Sequence, residues 1–105
     1  MLEDIRNCYR VGKVLFSGHA KNEMDEEEFG RIIENEVNEV VLNGRIIEHY
    51  SDDTPYPSCL IFGRTEKNRP LHVVCAYSGD DDLAIIITVY QPDPQKWINY
   101  ERRKL

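Results

Sequence analysis

Arg45 to Gln91 reads RIIEHYSDDTPYPSCLIFGRTEKNRPLHVVCAYSGDDDLAIIITVYQ, and it decides the fold. Four runs in it, RIIEHY, SCLIFGRT, LHVVCAYS and LAIIITVYQ, are rich in β-branched and aromatic residues and are bounded by Gly, Pro, Asp or Asn. The connections SDDTPYP, EKNRP and GDDD are too short for helical crossovers, so the runs should pair as an antiparallel meander. Period-two alternation puts Leu71, Val73, Cys75 and Tyr77 on one face of the third run and His72, Val74, Ala76 and Ser78 on the other. In the fourth run it groups Thr88 and Tyr90 with Ala84 and Ile86, opposite Ile85, Ile87 and Val89.

The residues before Arg45 read as helical. Leu2, Ile5 and Tyr9 have helical spacing, and Ser17 is a candidate N-cap for a turn holding His19. Asp25 and Glu28 have capping-box spacing with Met24 and Phe29 placed as a staple, which starts a new helix near Asp25. Phe29, Ile32, Ile33, Val37, Val40 and Val41 then form one apolar stripe that Asn43 and Gly44 end, unless Gly30 divides it. That stripe should bury the Ile85, Ile87 and Val89 row. After Pro92 and Pro94, Trp97 and Tyr100 could pin a short terminal helix, with Arg102, Arg103 and Lys104 exposed. The expectation is α+β: N-terminal helices on a four-stranded antiparallel sheet, then a short C-terminal helix, in one domain over residues 1–105.

Three cysteines make an odd number, two of them inside strand runs, which fits reduced thiols in the cytoplasm. MLEDIRNCYR lacks an apolar core of signal-peptide length, and LAIIITVY is too short to span a bilayer, so no membrane association is expected. Between Glu23 and Glu39 stand eight acids and one base, a local balance of −7 against −6 for the chain, so the remainder carries +1. The acidity belongs to one segment, read as a solvated helix face or a handle for a basic partner, and expected to lie away from any nucleic-acid surface.

Walker, GxGxxG, paired CxxC, HExxH and GxSxG motifs are all missing, which removes most of the case for nucleotide hydrolysis, dinucleotide redox or common zinc chemistry. His19, His49 and His72 are not at ligand spacing, and neither a metal nor a cofactor is expected. What remains suits phosphodiester chemistry. Histidine exchanges protons near neutral pH, arginine holds phosphate through two parallel hydrogen bonds, and Thr or Tyr hydroxyls orient it. His19, Arg64, His72, Thr88 and Tyr90 supply these groups. Each alone also fits a bland role, a packed strand residue or a solvated turn cation.

SGHAKNEM, VNEVVLNGRIIEHY, RPLHVVCAY and ITVYQPDPQKW, in that order, resemble the bacterial family called domain of unknown function 4258, which is similar to the RelE and BrnT toxins. The resemblance implies a RelE-like helix-then-sheet fold and RNA cleavage by attack of the ribose 2′-hydroxyl without metal. It also implies pairing with an antitoxin of zinc-finger or helix-turn-helix type, encoded in the neighbouring reading frame. His19 matches the family's leading histidine, His72 its strand histidine, and Thr88 and Tyr90 its TVY segment. His72 or His19 would then act as base or acid, Arg64 would stabilise phosphorane charge, and Tyr90 and Thr88 would orient the phosphate. Glu23 stands where the family often has arginine, so no basic residue carries over there. The rival reading is a non-catalytic protein-interaction module that keeps the fold.

Overall fold

In the computed structural model, which describes all 105 residues, the chain runs α1 (Leu2–Arg10), β1 (Val14–Phe16), α2 (Gly18–Glu26), α3 (Glu34–Asn43), β2 (Arg45–Tyr50), β3 (Ser58–Arg64), β4 (Pro70–Ser78), β5 (Leu83–Tyr90), β6 (Trp97–Ile98) and β7 (Arg102–Arg103). The four runs form the expected antiparallel meander, β2 to β5 in sequence order. The sheet has a fifth strand, however, and is mixed: β1 lies parallel to β5, Val14 opposite Ala84 and Phe16 opposite Ile86. Three residues at a sheet edge leave too little alternation to be read from sequence.

The Ser17 cap forms as expected, its Oγ accepting from the Ala20 N–H at 3.1 Å. Its own N–H donates to the Ile86 carbonyl at 2.9 Å, which ties the start of α2 to β5. The helix expected to begin near Asp25 does not. Instead α2 continues through Glu26, Gly30 takes φ 115°, and α3 begins at Glu34, where the Glu36 carboxylate accepts from the Ile33 N–H at 3.1 Å. A positive φ suits glycine and breaks the helix, so Phe29 and Ile33 fall off the apolar stripe and are about half exposed (46% and 50%). Ile32, Val37, Val40 and Val41 stay buried.

These side chains form one core with Ile5, Cys8, Ala20 and Met24 and the helix-facing residues Cys59, Ile61, Leu71, Val73, Cys75, Ala84, Ile86 and Val89. Each fully buried valine contributes roughly 1.5–3 kcal/mol. The expected Ile85, Ile87 and Val89 row is therefore corrected to Ala84, Ile86 and Val89, with Val89 alone placed as expected. Register shifts between Val74 and Cys75, whose partners are Thr88 and Ile86, so Ile87 is a bulge residue; Ala84 and Ile86 face the helices while Thr88 and Tyr90 face away.

Arg6 donates to the Val41 and Gly44 carbonyls at 3.0 and 2.7 Å, satisfying the C-terminal end of α3. Gly44 is needed for close approach, because a Cβ there would stand 2.5 Å from the Phe62 and Val40 carbonyl oxygens. Arg69, just before β4, is a clamp: it bonds Glu36 Oε1 at 3.3 Å, Gln91 Oε1 at 2.7 Å and the Arg31 carbonyl at 3.0 Å.

The C-terminal segment is not a helix. It is a hairpin of β6 and β7 whose turn uses positive φ at Asn99 (53°) and Tyr100 (64°). No helix of the chain is long and apolar enough to cross a membrane.

Candidate functional site

Cross-strand register assembles a polar row on the sheet face away from the helices. Phe62, His72 and Tyr90 stand opposite one another on β3, β4 and β5, and Val74 stands opposite both Leu60 and Thr88 in the next row. On β2 a shift between Ile46 and Glu48 leaves Ile46 against the core and turns Glu48 and Tyr50 to this second face, opposite Leu60 and Ser58. Two bulges, in β2 and β5, thus gather Glu48, Tyr50, His72, Thr88 and Tyr90 on one surface.

His72 has no exposed surface. Its Nδ1 is 3.0 Å from the Tyr90 hydroxyl and its Nε2 is 2.5 Å from the Tyr100 carbonyl. A carbonyl only accepts, so Nε2 carries the proton and donates to Tyr100, and the Nδ1 lone pair accepts from Tyr90 O–H. The neutral tautomer satisfies both contacts. Burial lowers the His72 pKa, the Tyr100 bond and the Glu48 charge opposing it only in part. Phe62, Tyr90 and Trp97 surround the ring edge-on, Trp97 closest at 4.4 Å between centroids.

Trp97 belongs to the hairpin, which covers this face. Arg103, opposite Trp97 in the hairpin, lies over its ring at 4.7 Å and forks onto Glu48 through Nε and Nη2 at 3.0 and 3.1 Å. Tyr50 O–H donates to the same carboxylate at 2.5 Å. The Arg103 hydrogen bonds hold the Glu48 carboxyl below its usual range and raise the Arg103 pKa. Burial pushes the Tyr90 phenol up to about 12, so it holds its proton at neutral pH.

Of the expected residues, the fold brings His72, Tyr90 and Thr88 to one face. Arg64 reaches the group only through the hairpin, its guanidinium 5.4 Å from the Tyr100 ring centroid and its Nη1 donating to the Asn68 carbonyl at 3.2 Å. His19 stands apart, paired with Glu23 at 3.3 Å on α2, its side chain 67% exposed. Glu23 and Glu27 satisfy the β5 edge beyond β1, accepting from the Val89 and Gln91 N–H groups at 3.1 and 2.8 Å. The chain therefore uses Glu23 as a strand-edge cap. Burial pushes Cys59 up to about 11 and raises Cys75, as suits core thiols. No three His, Cys, Asp or Glu side chains converge as metal ligands.

Glu48, Tyr50, Trp97, Tyr100 and Arg103 were not singled out as site residues from sequence. The Glu48 and Tyr50 pair, two apart in a strand, was the one available signal; hairpin contacts with His72 have no local signature.

Beside the row opens a cleft of about 320 Å³ whose lining includes Tyr90, Trp97, Arg103, Lys96, Glu28 and Phe29. Within it, Tyr90 is bonded to the buried imidazole behind it and so joins solvent to His72. A proton accepted by the Tyr90 oxygen can be matched by transfer of the phenolic proton to Nδ1, a relay that needs no exposed histidine.

The family model described as Domain of unknown function (DUF4258) matches residues 16–91, and the chain belongs to that family. No curated protein and no solved structure matches it. Glu48, His72 and Tyr90 fall within the match; Trp97, Tyr100 and Arg103 lie beyond it.

Proposed function

On the premise of that family membership, we propose that the chain is a metal-independent endoribonuclease, the toxin half of a toxin–antitoxin pair acting in the cytoplasm. The observation that carries the reading is the hydrogen-bonded Tyr90 and His72 pair, with the phenol lining a cleft and the second ring nitrogen fixed by the Tyr100 carbonyl. The resemblance read from its motifs, to a family similar to the RelE and BrnT toxins, supports it and suggests a RelE-like fold and a zinc-finger or helix-turn-helix antitoxin.

In this mechanism the ribose 2′-hydroxyl gives its proton to the Tyr90 oxygen while the Tyr90 proton moves to His72 Nδ1. The 2′-oxygen attacks phosphorus, the 5′-oxygen leaves and takes a proton from water, and a 2′,3′-cyclic phosphate remains. Imidazolium charge is offset by the Tyr100 carbonyl and Glu48, while Lys96 and Arg103, which line the cleft, face the phosphorane charge. Arg64 and His19 move from catalytic candidates to the periphery. Glu27 and Glu28 line the same cleft, so the acidic segment does not stand wholly clear of RNA. Glu27 is occupied structurally, its oxygens bonded to the Gln91 and Phe29 N–H groups.

A second reading, the non-catalytic interaction module, draws on the complete burial of His72 with both nitrogens satisfied, as in an ordinary core histidine. Expression without a partner separates the two. The ribonuclease slows growth and cleaves RNA, and Tyr90→Phe loses both activities while remaining folded. A wild-type protein that does neither overturns the enzyme reading and leaves the module.

A further inference from the structure

The C-terminal hairpin has two chemically different faces. Trp97 is opposite Arg103 and Ile98 opposite Arg102, and the Lys104 N–H donates to the Lys96 carbonyl at 2.9 Å, extending the ladder by one pair. Trp97 is buried and Arg103 lies on it and on Glu48, so this pair faces the sheet. Alternation then turns Lys96, Ile98, Arg102 and Lys104 outward, and all four are exposed. None of the three outward cations lies within ion-pair distance of a carboxylate. Residues 92–105 hold four cations and two acids in a chain whose net charge is −6.

We propose that the outward face of this hairpin, through Lys96, Lys104 and Arg102, is a binding site for the phosphate backbone of single-stranded RNA. The inference rests on the ribonuclease reading for its ligand and goes beyond it in assigning binding to a segment outside the family match. Lys96 belongs both to this face and to the cleft that Tyr90 lines, so a strand lying along the hairpin is led to the phenol. Arg64 extends the cationic surface at the turn, against the Tyr100 ring. Docking of Trp97 and Arg103 fixes the hairpin, so the outward cations are held in place before RNA arrives. An acidic protein would meet the same charges but has no reason to follow them into the cleft.

The test measures binding of the full chain to a short 2′-O-methylated RNA, which lacks the attacking hydroxyl and cannot be cleaved, as a function of salt. Replacing Lys96, Arg102 and Lys104 by Ala is expected to weaken binding roughly tenfold or more at low salt. It should also flatten the logarithmic salt slope by about 2, the value for three phosphate contacts on a single strand. The comparison variant replaces Lys13, Lys21 and Lys67, equal in charge and outside the hairpin, and should keep the wild-type slope. Emission from Trp97, the only tryptophan, verifies that the hairpin remains docked. Equal losses in the two variants, no RNA binding by the wild type, or displacement of RNA by polyglutamate at equal charge concentration would overturn the proposal. Normal binding by the hairpin variant, with cleavage of ordinary RNA by the wild type, would overturn it while sparing the ribonuclease reading. Hairpin-dependent binding without cleavage of ordinary RNA would do the reverse.

Discussion

Replacing His72 by Gln should remove a specific part of the pH dependence of stability. In the folded chain burial holds the imidazole neutral and lowers its pKa, whereas in the unfolded chain it titrates near 6.5. As pH falls through the unfolded value, the unfolded state binds a proton that the folded state refuses, so stability falls. The contribution is fully present above that pH and is lost toward the lower folded pKa. The slope from this one group has a ceiling of about 1.4 kcal/mol per pH unit, and the loss from about pH 7.5 to 5.5 is about 1 kcal/mol. Glutamine can accept from Tyr90 and donate to Tyr100, so it keeps both hydrogen-bond roles while removing the titration. It loses the edge-on ring contacts, above all the 4.4 Å contact with Trp97, which costs about 1 kcal/mol at neutral pH. Urea unfolding of both proteins across this range, followed by circular dichroism, measures the difference. Glu48, whose pKa is lowered, adds stability that is lost only as the pH falls through the more acidic carboxylate range. Parallel stability curves for wild type and His72→Gln between about pH 7.5 and 5.5 would refute the buried neutral imidazole.

Tyr90→Phe leaves Nδ1 of His72 without a donor, costing about 1–2 kcal/mol of stability, yet should lower RNA cleavage on the order of a hundredfold or more, read from single-turnover rates. Gly44→Ala drives a Cβ against the Phe62 and Val40 carbonyls and should cost about 2–4 kcal/mol, measured by denaturant unfolding. Glu23→Ala leaves the Val89 N–H without its partner and should cost about 1–2 kcal/mol, whereas Glu23→Gln keeps an acceptor and should cost less by the same assay. Arg103→Ala removes the fork onto Glu48 and the cover over Trp97; with a side chain 61% exposed the stability change is about 1 kcal/mol or less, but Trp97 emission should shift to the red.

The meander was legible because its runs are long, β-branched and joined by short turns. Alternation placed His72 away from Leu71 and Val73, and the register bears this out. It failed in β2 and β5, where single-residue bulges reverse the faces: read straight, Glu48 would share the face of Ile46, and Tyr90 that of Ile86. The helix start at Asp25 rested on the capping-box spacing of Asp25 and Glu28, but α2 runs through Asp25 to Glu26 and Gly30 breaks the chain beyond it. The C-terminal hairpin was hidden because its Asn99 and Tyr100 turn carries no glycine and its stability comes from Glu48 and His72, residues distant in sequence. The half of the site that is local to β4 and β5 could therefore be read, and the half built across the hairpin could not.

Incubating purified wild-type chain with RNA in excess EDTA and identifying the new ends tests the central claim most directly. The Tyr90 and His72 relay should leave 2′,3′-cyclic phosphate and 5′-hydroxyl ends, lost in Tyr90→Phe. Intact RNA in the presence of folded wild-type protein, or equal cleavage by Tyr90→Phe, would contradict it.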